Sequence, residues 1–212
     1  MHMKYLKMLG LAAVAAMALM AFGAGSASAT ELCSTNTSPC TGTKYGSGTV
    51  IKANLKSGTI ANLTNSLGNV TCTTSTVEGK TSSAGGGTGV AVKGSITSLK
   101  FSNCTQDVFG SPSCTVTATG IPAAVQGVAT GGGNGKMTTG TAGAEVVCLG
   151  FIECSFSAPG IELTTTGGNP AHVTASNEVL KIEEGGFLCP SEAKWDATYE
   201  VSTPKPLFLV NP

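Results

Sequence analysis

All eight cysteines of this chain lie downstream of a segment with the three parts of a cleavable export signal, which fixes the redox setting of the fold. Lys4 and Lys7 form the positive n-region, Leu9 to Phe22 the apolar h-region, and Ala27-Ser28-Ala29 the small-x-small cleavage site. Residues 1–29 are therefore expected to be removed as a signal peptide, leaving a secreted chain that begins near Thr30. The alanine-rich leader is of bacterial type. An even cysteine count in an oxidising compartment favours disulfides over free thiols or metal ligands.

Eight cysteines allow about a hundred pairings, and spacing suggests one set among them. Cys33 and Cys40 close a short loop around Pro39. Cys104 and Cys114 bracket a segment containing Gly110 and Pro112, as the arms of a hairpin would. Cys148 and Cys154 are expected to face each other across a second hairpin, which leaves Cys72 with Cys189 as a long-range staple. Zinc fits these spacings poorly: the gap from Cys148 to Cys154 exceeds the usual knuckle spacing, and His172 is the only histidine after the leader. No Asp-x-Asp loop is present for calcium. No metal and no cofactor is expected.

Charge excludes further classes. The 12 basic and 12 acidic residues balance, every basic residue is lysine, and arginine is absent. No strong field attracts a polyanion, and the side chain best shaped to clamp phosphate is missing. Nucleic-acid binding and phosphoryl transfer are therefore not expected. Threonine is abundant, 29 glycines mark turns, and charged residues make up only 11% of the chain. That composition suits a β protein whose water-facing positions carry hydroxyls.

Short alternating runs follow one another from Thr49 onward: Thr49–Ala53, Thr59–Leu63, Asn69–Val77, Val90–Val92, Ile96–Phe101 and Cys114–Ala118. Glu145–Cys148 and Glu153–Phe156 read as a hairpin. Ile161–Thr166, His172–Ala175, Val179–Ile182, Thr198–Val201 and Leu207–Val210 complete the series. No window after the leader holds a helical apolar period. The expected fold is an all-β, disulfide-stapled antiparallel β-sandwich of Greek-key or jelly-roll type over residues 48–212. A disulfide-closed N-terminal extension over 30–47 precedes it. Ser82–Gly89 and Thr130–Gly135 read as long flexible hairpin loops. No cysteine stands at the cleavage site for lipidation, and the tail 204–210 is too short for a membrane anchor, so no integral anchor is expected.

The catalytic inventory is sparse. A Ser-His-Asp or Cys-His system would have to use His172, which stands beside a turn at a strand start. No Gly-x-Ser-x-Gly elbow or phosphate loop occurs. One alternative site survives: Glu183, Glu184, Glu192 and Asp196 cluster in sequence around Trp195 and Tyr199. Paired carboxylates beside aromatic platforms are what a glycosidase requires.

The stretch 96–104, ending Phe101-Ser102-Asn103-Cys104, is followed by Cys114-Thr115-Val116-Thr117-Ala118-Thr119-Gly120-Ile121-Pro122. This pattern resembles small exported bacterial β proteins of the PraB type, labelled activators of alkane oxidation, and a wider set of secreted actinobacterial proteins. The resemblance covers roughly residues 70–125, with Ala123 where that pattern carries Trp. It implies an exported β-sandwich without assigned catalytic residues. The functional expectation is a non-enzymatic extracellular or cell-wall-associated protein that binds a surface, polysaccharide or other polymer, or protein. The alternative is a carbohydrate-active enzyme using the carboxylates above.

Overall fold

Runs in which every second residue is apolar become strands because extended backbone places alternate side chains on one face. The computed structural model describes residues 29–87, 90–108 and 113–212. The leader, except Ala29, and parts of the segments Ser82–Gly89 and 104–114 lie outside the described residues. Chain order begins with β1 (Glu31–Cys33), β2 (Lys44–Tyr45), β3 (Val50–Leu55), β4 (Ala61–Asn65), β5 (Gly68–Thr81) and β6 (Val92–Gln106). It continues with β7 (Ser113–Thr119), β8 (Ala123–Gly131), β9 (Asn134–Thr139), β10 (Ala142–Cys148) and β11 (Ile152–Ala158). The last are β12 (Glu162–Thr166), β13 (His172–Gly185), β14 (Glu192–Thr203) and β15 (Phe208–Val210). No helix occurs among the described residues, so none is long and apolar enough to cross a membrane.

The chain is all-β, and every strand pairing is antiparallel. Strands β3 to β14 form one 12-stranded sheet that closes on itself. Four long strands, β5, β6, β13 and β14, run through its whole height. Near one end the sheet closes in the order β3-β5-β6-β8-β9-β12-β13-β14 and back to β3. Near the other end it closes as β4-β5-β6-β7-β10-β11-β13-β14 and back to β4. Each ring holds eight strands, and each strand of this sheet is paired on both sides. The two layers of the sandwich are thus joined along both margins, which removes the exposed edges that invite aggregation.

The small sheet β15-β1-β2 covers the first of these ends. Segment 30–47 is therefore folded against the last strand of the chain. Leu209 N donates to Gly133 O at 2.9 Å, and Ala129 N donates to Thr30 Oγ1 at 2.8 Å. Leu209 reaches so close to β9 that a Cβ on Gly135 would stand 2.5 Å from its Cδ2. Thr130–Gly135 is consequently not a long loop. It is a tight turn between β8 and β9, with Gly131, Gly132 and Gly133 all at positive φ, the backbone region open to glycine.

The disulfides join Cys33 to Cys40, Cys72 to Cys104, Cys114 to Cys148, and Cys154 to Cys189. The first matches expectation; the pairings Cys104–Cys114, Cys148–Cys154 and Cys72–Cys189 are corrected. The register supplies the reason. Cys72, Cys104, Cys114 and Cys148 are direct cross-strand neighbours along β5-β6-β7-β10. A residue in an antiparallel sheet makes a close, non-hydrogen-bonded pair on one side and a wide, hydrogen-bonded pair on the other. Close pairs therefore alternate along the row. Cys72–Cys104 and Cys114–Cys148 occupy them, with Cα separations of 4.0 and 4.3 Å. Cys104 and Cys114 oppose each other at the intervening pair. Cys148 stands opposite Ile152, two positions away from Cys154, which bonds instead to Cys189 in the turn after β13.

Candidate functional site

Parity along β13 and β14 decides where the sequence-derived carboxylates go. On β14, Ala193, Trp195, Ala197, Tyr199 and Val201 point into the barrel, whereas Glu192 and Asp196 stand on its outer face. Glu192 is exposed and paired with Lys181, whose ammonium holds its carboxyl below the usual range by hydrogen bonding and then by charge. Asp196 Oδ1 accepts from the backbone N–H of Asn177 at 2.8 Å. Glu183 is exposed and accepts from Ser157 Oγ, and Glu184 is exposed beside it. The carboxylates and the two rings therefore lie on opposite sides of the sheet and form no common cleft. His172 stands opposite Glu200 on the outer face, with Nε2 4.0 Å from Glu200 Oε2.

What the inward faces do assemble is an apolar interior that side chains leave partly empty. An eight-stranded barrel is just wide enough for large side chains to fill or for one small ligand to enter. Here many inward positions are small. On β8 they are Ala123, Val125, Gly127 and Ala129, and on β14 Ala193 and Ala197 separate the larger residues. Three cavities among the described residues lie in file along the barrel. The largest of the three, about 140 Å³, lies under the small sheet and is lined by Ile51, Val77, Val125, Met137, Val173 and Leu209 among others. The middle one, about 70 Å³, shares Ile96, Leu99, Leu163 and Trp195 with it as a partition. The third, also about 70 Å³, is divided from the middle one by Leu63 and Val70 and reaches the disulfide-rich end.

Few polar side chains line these spaces, and several of those that do carry an enclosed atom without a hydrogen-bond partner. Trp195 Nε1 and Thr165 Oγ1 are buried without a hydrogen bond and both residues line the largest cavity. Asn62 Oδ1 at the middle cavity and Gln106 Oε1 at the third share that condition. Buried polar groups are nearly always satisfied, so this concentration at the cavities requires an explanation. Tyr199 shows the contrasting case. Ser75 Oγ donates to Lys100 O at 2.8 Å, which leaves the Tyr199 hydroxyl to donate to Ser75 Oγ at 2.9 Å. Burial pushes the Tyr199 phenol up to about 12, a shift that the Ser75 contact partly offsets. Its ring lies 6.5 Å from that of Trp195, tilted by 58°.

No cluster of metal-ligating side chains exists among the described residues. No protein-family model, no curated protein and no solved structure matches the chain. The sequence reading missed this interior. Its signal was the small inward positions Ala123 and Gly127 of β8 and Ala53 and Ala61 of β3 and β4, which border a void only once the sheet closes.

Proposed function

We propose that this protein is an exported, non-enzymatic binding protein that holds a slim, uncharged, largely apolar molecule along the barrel axis. The carrying observation is the pair of unpartnered buried groups, Trp195 Nε1 and Thr165 Oγ1, on an otherwise apolar cavity. A cavity of about 150 Å³ is enough to take a benzene-sized molecule, so the largest chamber accommodates a ring or a short alkyl segment. A longer chain would displace the partition at Leu99 and Leu163 and extend into the middle chamber. With a small side-chain shift that brings these enclosed atoms to the chamber wall, an oxygen on the ligand would accept from the indole N–H and exchange a hydrogen bond with the threonine. Apolar walls with a few orienting polar groups are the usual design of small-molecule sites. A charged head is disfavoured, because no carboxylate is among the described residues that line the chamber, and Lys80 and Lys93 in its wall are exposed to solvent, so nothing offsets the desolvation of a buried charge. This reading keeps the non-enzymatic expectation and replaces the surface, polymer or protein ligand by a small molecule held in the interior.

Trp195 is the single tryptophan of the chain and so reports on its own site. Titrating the purified, delipidated mature protein with octanol carrying a terminal bromine is expected to quench its emission saturably at one molecule per protein. Unbrominated octanol should reverse the quenching. Emission that declines only linearly, with no competition, would refute the proposal.

A further inference from the structure

The barrel end that carries three of the four disulfides also carries the two most exposed large apolar side chains among the described residues. Phe187, 96% exposed, and Leu188 occupy the turn between β13 and β14; Leu149 and Phe151, the latter 72% exposed, occupy the turn between β10 and β11. Leu67 sits in the turn between β4 and β5. Single exposed leucines are ordinary, whereas two bare aromatic rings on linked turns are not. β11 pairs with the end of β13, and Cys154–Cys189 ties the Phe187 turn to β11, so the two rings ride on one braced unit.

The chemistry around them narrows the partner. None of the three turns contains lysine. The charges nearest the turns are carboxylates: Glu153, exposed at the start of β11, and Glu183 and Glu184, exposed at the end of β13, while Lys181 is already paired with Glu192 and Lys194, which also acts on Glu192, stands further along β14. An anionic surface is therefore repelled and an uncharged one is not. The five side chains present about 500 Å² at most, given 150–250 Å² for a whole aromatic residue, which falls short of the roughly 800 Å² per partner of a stable protein interface. Protruding tips also need a medium that can deform around them.

We infer that these three turns insert into the surface of an electrically neutral lipid layer, with residues 67, 149, 151, 187 and 188 as the inserted set. The cavity lined by Leu67, Ile152, Leu188 and Pro190 lies at the same end, so apolar cargo would pass between lipid and barrel there. That last step rests on the binding function proposed above; the docking itself does not.

The test is co-sedimentation of the mature protein with phosphatidylcholine vesicles, with and without added phosphatidylglycerol. Binding to pure phosphatidylcholine, little changed by salt, is expected, with at least a tenfold lower partition coefficient for F151S/F187S. Both positions are exposed, so an unchanged urea midpoint will show that the variant remains folded. F187W should gain a blue-shifted emission component on adding the vesicles. No binding, binding that needs the anionic lipid and vanishes in salt, or binding indifferent to the substitutions would overturn the inference. So would a concentration-dependent dimer in light scattering that F151S/F187S abolishes, since a second copy would then cover the turns. Octanol binding that persists while vesicle binding fails would overturn the docking alone, and the reverse result would overturn the cargo alone.

Discussion

Replacing Thr165 by valine separates a binding site from a merely imperfect core, because the two readings predict different signs. Thr165 is 3% exposed, its Oγ1 has no hydrogen-bond partner, and it lies in register opposite Val173, which lines the same cavity. Valine has nearly the same shape and an equal preference for strands, so T165V exchanges a hydroxyl for a methyl with little change in packing. A hydroxyl buried without a partner costs about 1–3 kcal/mol by protein mutational measures. The delipidated variant should be more stable by about that amount, which for a domain of this size raises Tm by roughly 2–4 °C per kcal/mol. Ligand binding should move the other way. One lost hydrogen bond of about 0.5–1.5 kcal/mol raises Kd for octanol by about two- to tenfold, while octane, which has no oxygen, should bind T165V at least as well. The assays are reversible urea unfolding of the ligand-free protein and Trp195 fluorescence titration with both ligands. A T165V protein that is destabilised, or that loses octane and octanol affinity equally, would show the hydroxyl to be structural and sink the argument.

Peptide mapping of the non-reduced protein should recover Cys72–Cys104, Cys114–Cys148 and Cys154–Cys189; a Cys104–Cys114 peptide would contradict the register argument. In the chain-entropy view each of these bridges, closing loops of 32, 34 and 35 residues, should cost about 4 kcal/mol when replaced by paired serines, and Cys33–Cys40 about 2 kcal/mol. Y199F should lose about 1 kcal/mol with the hydrogen bond to Ser75. Its phenol is raised by burial to about 12, so the stability it contributes is complete below about pH 10 and lost as pH climbs from there through 12. Absorbance at the phenolate band should therefore show a late-titrating tyrosine in the folded wild type that Y199F lacks. Asp107 is held below the usual carboxylate range by the backbone N–H of Asn69 and then by its side chain. Its lowered value means that its contribution is present above pH 4 and fades as pH falls, an acid sensitivity that D107N should remove from urea midpoints measured between pH 5 and 2.

The all-β class was legible because alternation survives in most runs, and the hairpin joining β10 to β11 stands where its apolar pattern and central Gly150 place it. The long strands were not. β6 reads as two pieces because Gly94 interrupts it, and its pairing with β7 shifts near Asn103, which adopts positive φ. β13 is interrupted in the same way at Asn177, where the register slips between Ala175 and Glu178. An irregularity that bends a long strand is indistinguishable in sequence from a turn that ends a short one. The fate of the acidic cluster was legible in part, since 192 and 196 differ in parity from 195 and 199. Reading 192–203 as one strand would have separated carboxylates from rings. Disulfide choice was not legible, because close and wide pairs depend on which strands become neighbours after closure.

The placement of stability in this molecule follows from what its interior lacks. A core in which alanine takes many of the inward positions gives up part of the dispersion and burial that large interlocking side chains provide, and each unfilled space lowers stability further. Such a barrel must draw its stability from its shell. Closure supplies part of this, because every strand of the main sheet satisfies its backbone groups on both sides and none is left to fray at an edge. The disulfides supply another part by restricting the unfolded chain without filling any interior volume. Three of them gather at the end where the small sheet is absent and where Phe151 and Phe187 project. A rigid frame around an unfilled axis has a use when the axis is meant to be filled by something else. Filling it should then stabilise the protein through mass action: saturation with octanol at a hundred times Kd is expected to add about 3 kcal/mol to the unfolding free energy. A substitution that fills the void covalently, such as A53L at the wall of the largest of the three chambers, should raise stability without ligand and abolish the ligand-dependent increment. If octanol still stabilises A53L as much as wild type, the ligand sits elsewhere and the empty axis is not its site.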